Sequence, residues 1–258
     1  MTDETTAEPR RAMPRWAKPV LISVGIVVVL VIAFFVADAA LRSYAQGRIA
    51  EEIKSELPDG FTANDLTVDI GGFSVIGQYL AGSFDTVTLD ADSVRMNGVP
   101  AAASIVAHGV PTDFSKPVAS IKGAMILDQD AANRLVKIPG ATSKVTFGNG
   151  TVGYSGGATV FGLPLTYKAV VAPKADGGTI LLAPKSVKIT GGPADLDLSG
   201  IVSQVLGDKP FPLCVAQYLP QGVKVTDISI EKGSANATVS AKNIVLDQKT
   251  FANRGSCS

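Results

Sequence analysis

The chain has 258 residues, enough for one or two domains with a packed core, and its 46% hydrophobic and 18% charged residues exclude general disorder or a coiled coil. Its 23 Lys and Arg are balanced by 23 Asp and Glu, so it lacks the basic excess with which proteins bind a phosphate backbone. We therefore expect no nucleic-acid partner.

An apolar segment near the N-terminus predicts export. Residues 19–37 carry no charge and, as a helix, come close to the roughly 30 Å of a bilayer's hydrocarbon core. The positive-inside rule places the N-terminus in the cytoplasm, because four basic residues and Trp16 precede the segment: Arg10, Arg11, Arg15 and Lys18. We expect a cytoplasmic tail (1–18), a transmembrane anchor (19–39) and an extracytoplasmic domain (40–258). A cleaved signal peptide remains the alternative, since residues 37–39 (Ala-Asp-Ala) fit a cleavage site. Whether the segment is an anchor or a cleaved signal peptide, we expect the domain in the periplasm or cell envelope.

Spacing and turn residues predict the elements of the exported part. An amphipathic helix ends before Pro58 and Gly60, with its apolar positions at Leu41, Tyr44, Ala45, Ile49, Ile53 and Leu57. One hairpin joins residues 84–96 to 101–110 through Asn97 and Gly98, and a second joins 223–231 to 234–246 through Lys232 and Gly233. Shorter strands are predicted at 64–70, 118–127, 143–147, 151–155, 163–172, 179–182 and 186–190. Short helices are predicted at 128–136, capped by Asp128, and at about 198–206.

The alternation of apolar residues slips by one position within three strands. Val87, Leu89 and Ala91 are odd-numbered, whereas Val94 and Met96 are even-numbered. Similar slips follow Val225 and Ala241. A bulge is needed to keep one face buried through such a slip, and a bulge bends the strand. The pattern predicts an α+β fold in which a strongly curved antiparallel sheet wraps the amphipathic helix and leaves an elongated apolar groove. An ordinary twisted sandwich with a filled core remains the alternative.

The exported part carries few groups suited to catalysis or metal binding. His108 is the single histidine, so a hydrolase site would have to be built around it. Residues 148–153 have the spelling G-x-G-x-x-G, but no helix follows them, which favours a hairpin turn. Asp85, Asp90 and Asp92 resemble paired catalytic carboxylates, but Asp90 and Asp92 fall with Thr86 and Thr88 on the polar face of their strand, which favours a solvated face. We expect no enzyme, no cofactor and no metal.

The two cysteines, Cys214 and Cys257, both lie in the exported part. An even cysteine count outside the cytosol predicts one disulfide between them. Free thiols or a two-cysteine metal site are the alternatives, and no further His or Cys stands nearby to complete such a site.

Two segments resemble the LmeA-type phospholipid-binding proteins of actinobacterial envelopes. The first is residues 69–87, DIGGFSVIGQYLAGSFDTV, and the second combines Pro212-Leu213-Cys214 with residues 219–223, LPQGV. The order of apolar segment, helix and these motifs matches over about residues 38–246. The resemblance implies a tubular lipid-binding type of fold, with acyl chains held in a groove and no known chemistry.

We therefore predict a non-catalytic protein that holds phospholipid acyl chains in an apolar groove and supports envelope lipid or lipoglycan assembly or transport. Burial of acyl chains gains about 0.8 kcal/mol per CH₂ without any catalytic group. The expected partners are phospholipid, the membrane and proteins of envelope glycolipid synthesis. The candidate groove residues are Leu41, Tyr44, Ile49, Ile53, Phe73, Ile76, Tyr79, Leu80 and Phe84. An envelope scaffold or interaction protein with a filled core is the alternative.

Overall fold

A computed structural model describes residues 17–55, 60–135, 144–160, 163–191 and 209–257. Its longest element is helix α1 (Ala17–Ser55), which at 1.5 Å per residue is about 58 Å long. The predicted anchor and the predicted amphipathic helix are therefore one uninterrupted helix. The sequence allows this continuity, because Pro19 lies in the first turn and no later proline occurs before Ser55.

The first of two antiparallel sheets has seven strands, in the order β1-β3-β4-β5-β12-β11, with β2 also paired to β3. These strands are β1 (Phe61–Ala63), β2 (Leu66–Ile70), β3 (Ser83–Met96), β4 (Val99–Pro111), β5 (Val118–Asp128), β11 (Lys224–Glu231) and β12 (Ser234–Ile244). Between β2 and β3 lies helix α2 (Val75–Ala81), and α3 (Gln129–Leu135) follows β5. The Asp128 carboxylate accepts the Ala131 N–H, as its predicted capping role requires.

The second sheet has five strands, in the order β10-β9-β8-β7-β6. They are β6 (Thr146–Gly148), β7 (Thr151–Val160), β8 (Leu163–Asp176), β9 (Thr179–Gly191) and β10 (Phe211–Cys214). The sheets meet at β11, where Gly177 forms a bridge with Val225 and the Gly150 N–H donates to the Ile230 carbonyl. A short 3₁₀ turn (Ala216–Tyr218) follows β10, and α4 (Gln248–Ala252) follows β12. The predicted disulfide between Cys214 and Cys257 is present.

Both predicted hairpins are confirmed, and so is the turn read from residues 148–153. Asn97 and Gly98 have φ of 51° and 78°, the positive values that a two-residue turn between twisted strands requires. Two predicted strands, 179–182 and 186–190, were wrong as separate elements, because a register shift lets them continue as the single strand β9. Of the predicted strand 64–70, residues 66–70 form β2, whereas Asn64 and Asp65 form the turn that separates it from β1. The predicted helix at about 198–206 lies outside the described residues.

The structure contains two of the three predicted bulges. The pairing shifts between Ala91 and Val94 in β3 and between Val225 and Asp227 in β11. The bulge predicted after Ala241 was wrong, because β12 keeps one register with β5 from Ser234 to Ile244, although Asn243 takes a positive φ of 50°. The α+β class with antiparallel sheets is confirmed. The strong wrap around the helix is not found, since both sheets are open and α1 packs along the β2 margin of the first sheet. The bulges bend single strands, and the outer edge of β11 meets the second sheet instead of returning to the helix.

Candidate functional site

One face of the first sheet is apolar from β2 to β11. Directly paired residues share a face, so the register identifies its members row by row. They include Val68, Val87, Leu89, Ala91, Ala103, Ile105, Ala107, Ile121, Gly123, Met125, Ala237, Val239, Val225 and Ile228. One side of this sheet is therefore an apolar surface whose burial is favourable.

Helix α1 covers only one end of this apolar face. Ile49 and Ala50 of the helix pack against a buried cluster of Val68, Val87, Ala107, Val110 and Val118. Farther from the helix, Ile105 in the middle of the face keeps 38% of its surface exposed, and Met125 is half-buried. Part of an apolar sheet face is thus left accessible beside a filled core.

The opposite face of the same sheet is polar. It carries Thr86, Thr88, Asp90, Ser104, His108, Ser120, Lys122, Thr238, Ser240 and Lys242. Asp90, Asp92 and His108 are exposed, and the His108 ring shares a hydrogen bond with the Thr86 hydroxyl. Ile126 is an apolar exception on this side, at 48% exposure. No group of three or more His, Cys, Asp or Glu suited to a metal occurs within the described ranges.

The second sheet also has an apolar face, and that face is incompletely covered. Its members are half-buried throughout: Val152, Tyr154, Tyr167, Ala169, Val171, Pro173, Ala175, Ile180, Leu182, Pro184 and Val187. The hydroxyls of Tyr167 and Tyr154 form a hydrogen bond of 3.3 Å on this face, and this bond raises the pKa of Tyr154 above its ordinary value. Phe211 and Leu213 of β10 continue the face and are exposed.

A polar cluster fixes α1 to the segment before α2. The Asp38 carboxylate is buried and accepts hydrogen bonds from the Ser74 hydroxyl (2.7 Å) and the Ile76 N–H (2.9 Å). Arg42, one turn later on α1, donates to the carbonyls of Ile70 (3.0 Å) and Gly72 (2.9 Å) and forms an ion pair with Asp38 at 3.6 Å. The sequence does contain a signal for this cluster, because Asp38 and Arg42 are an acid and a base at i,i+4 directly after the apolar segment. That signal was not used to predict the cluster.

Two aromatic rings also join α1 to the segment before α2. Phe73 lies edge-on to Phe35 of α1, with their ring centroids 5.4 Å apart. Between them is an open cleft of about 370 Å³, lined by Phe35, Asp38, Ala39, Arg42, Ser43, Gln46 and Phe73. The cleft has the size of a small ligand site, but it lies on the helix surface rather than along the sheet.

The nine residues predicted for a groove do not form one group. Ile49 and Phe84 pack against the core cluster, whereas Ile53 and Ile76 are half-buried elsewhere. The other five are exposed: Leu41, Tyr44, Phe73, Tyr79 and Leu80. Sequence reasoning missed Ile105, Met125 and Val239, whose common face depends on the register between β4, β5 and β12.

Comparison with protein families identifies a family for this chain. A family model described as LmeA-like phospholipid-binding matches residues 36–240. No curated protein and no solved structure matches the chain.

Proposed function

Because the chain belongs to the LmeA-like phospholipid-binding family, we propose that it holds phospholipid acyl chains against the apolar face of its first sheet. We further propose that it does so outside the cytoplasm, anchored by α1, in support of envelope lipid or lipoglycan assembly or transport. The candidate partners are phospholipid, the membrane and proteins of envelope glycolipid synthesis.

The observation that carries this proposal is the accessible part of the apolar face beyond α1. Ile105 is 38% exposed there, in the same row as the half-buried side chains of Leu89 and Val239. An acyl chain lying on this surface would remove it from water, and each buried CH₂ of the lipid would contribute about 0.8 kcal/mol. A binding role of this kind needs no acid, base or nucleophile, so we propose no turnover.

The second sheet offers a further wall for the same chains. The described members of its apolar face are half-buried, apart from the exposed Phe211 and Leu213, and the bridge between Gly177 and Val225 brings the sheet against the edge strand of the first sheet. A phospholipid has two acyl chains, and two apolar faces suit such a ligand better than one isolated pocket.

The proposed location rests on α1 and the disulfide. Among the described residues, α1 is the one helix long and apolar enough to cross a membrane, over Ile22–Ser55. The Cys214–Cys257 bond fits an oxidising compartment. Together they support a single-pass membrane protein or a secreted one, and we propose the anchored form.

Photochemical labelling tests the acyl-chain site directly. The full chain is reconstituted into vesicles containing a phospholipid with a diazirine near the end of one acyl chain, irradiated, digested and analysed by mass spectrometry. We expect label on α1 and also on the apolar face, at Ile105, Met125 or Val239. Ile126, on the opposite face of the same sheet, is the internal control and should stay unlabelled.

Label confined to α1 would overturn the proposal and favour an envelope scaffold that does not hold lipid. Equal labelling of Ile105 and Ile126 would also overturn it, because it would mean that the lipid reaches both faces without a site.

A further inference from the structure

Four large side chains with apolar surfaces lie exposed at one end of the first sheet. They are Phe73, Tyr79, Leu80 and Phe114, with 60% to 80% of their surfaces accessible. We call this set the rim. Isolated apolar side chains are common on protein surfaces, but a group of four at one end indicates a contact surface.

Backbone contacts place the rim residues at the same end. Tyr79 and Leu80 belong to α2, which ends at Gly82 with a left-handed φ of 85°. The Gly82 carbonyl accepts the Thr112 N–H at 3.0 Å, and Thr112 begins the loop that carries Phe114. The register agrees, since Ser83 at the start of β3 is paired with Pro111 at the end of β4.

Helix α1 leaves the sheet at this end. Its Lys54 donates to the Asn64 carbonyl near the far end of β2, whereas Arg42 donates to the Ile70 carbonyl at the near end. The exposed apolar residues of α1, from Ile22 to Val36, therefore extend beyond the sheet past the rim. The Phe35–Phe73 contact brings one rim ring to the level of the apolar span itself.

Charged groups of both signs lie near the rim, and they include the exposed Asp85 carboxylate beside Gly72. Lys116 is exposed in the Phe114 loop, and Asp113 lies in the same loop. The Ser115 hydroxyl and N–H donate to the Asp113 carboxylate, and these bonds keep its pKa below the ordinary value of 3.8, so it is ionised at neutral pH. A surface with four large apolar groups and no excess of positive charge fits the apolar part of a bilayer interface better than an anionic headgroup layer.

We propose that the rim is a membrane-contact surface that inserts into the outer-leaflet interface of the bilayer crossed by α1. The partner of this surface is the bilayer, because the helix that spans the bilayer is fixed to α2 through Asp38, Ser74 and Ile76. The tyrosine adds an amphipathic ring suited to the headgroup level. This inference rests on the anchored form proposed above and does not depend on the acyl-chain site.

Tryptophan quenching by lipid tests the rim in the full chain. Trp16 is the single tryptophan, so Trp16→Phe gives a silent background into which one reporter is placed at a time. Phe114→Trp and Tyr79→Trp report on the rim, and Phe61→Trp, in β1 at the far end of the sheet, is the matched control. Each variant is reconstituted into neutral phosphatidylcholine vesicles with and without brominated acyl chains.

We expect brominated lipid to quench the reporters at 114 and 79 at least twofold more than the reporter at 61, with little change between low and high salt. Phe114 is decisive, because it lies in the loop between β4 and β5, whereas the ring that contacts the span is Phe73. Absence of quenching at both rim positions would overturn the proposal, and so would equal quenching at position 61. Acyl-chain labelling at Ile105 would be unaffected by either result, so failure of the rim and failure of the lipid site can be told apart.

Discussion

Replacing Ile105 by Asn should weaken phospholipid binding far more than the same change at Ile126. Full burial of an Ile side chain is worth about 1.5–3 kcal/mol, so covering the 38% that is exposed contributes about 0.6–1.1 kcal/mol. An Asn amide facing an acyl chain without a hydrogen-bond partner costs about 1–3 kcal/mol more. The sum is about 2–4 kcal/mol, a loss of about 30- to 700-fold in affinity.

Ile126 supplies the control for this prediction. It is an isoleucine of the same sheet with 48% of its surface exposed, but it lies on the polar face with Lys122 and Ser120. Ile126→Asn should change binding by less than about 0.5 kcal/mol, as is usual for surface substitutions. Ile105→Leu, which keeps the apolar surface, should retain binding.

The assay is the photochemical labelling of the reconstituted full chain at increasing mole fractions of diazirine phospholipid. The mole fraction at half-maximal labelling of Met125, which neighbours Ile105 on the apolar face, gives the relative affinity of each variant. Circular dichroism of the three variants verifies that the sheets are intact. Equal midpoints for Ile105→Asn and Ile126→Asn, with both variants folded, would refute the assignment of the apolar face as the acyl-chain site.

Three further predictions concern stability. Changing both Cys214 and Cys257 to Ser opens a loop with a sequence separation of 43 and should lower the free energy of unfolding by about 4 kcal/mol. Urea denaturation measures this loss, and an unchanged midpoint would contradict the prediction. Asp38→Asn should speed hydrogen exchange of the Ile76 amide roughly tenfold, because a neutral acceptor holds it less strongly, while core amides stay unchanged. Gly98→Ala should cost about 1 kcal/mol in the same urea assay, because its φ of 78° disfavours a Cβ although the space is open; a neutral result would mean that the turn relaxes.

Local patterns predicted most of the strands, and non-local pairings account for what was missed. The turn at Asn97 and Gly98 and the slip between Ala91 and Val94 are properties of a few adjacent residues, so the sequence reveals them directly. The pairing of β5 with β12, by contrast, joins residues more than a hundred positions apart, as in Val118 with Ile244. Without that register, Ile105, Met125 and Val239 cannot be recognised as one surface.

The continuity of α1 was missed for a different reason. The change from apolar to amphipathic pattern at Asp38 was read as a boundary between two elements, although no residue there breaks a helix. The charged pair of Asp38 and Arg42 is compatible with the helix because both side chains bind the segment before α2 instead of facing lipid.

The unbroken α1 has a mechanical consequence for the anchored form proposed above. A helix bends only gently over this length, and the described part of α1 contains no interior proline to act as a hinge between the apolar span and the sheets. A change in the tilt of the membrane span therefore tilts the domain by the same angle, and the domain does not reorient independently above the membrane. Such a protein would meet its lipids and partners by two-dimensional diffusion in the plane of one bilayer, at a fixed height, rather than by crossing an aqueous gap on a flexible tether.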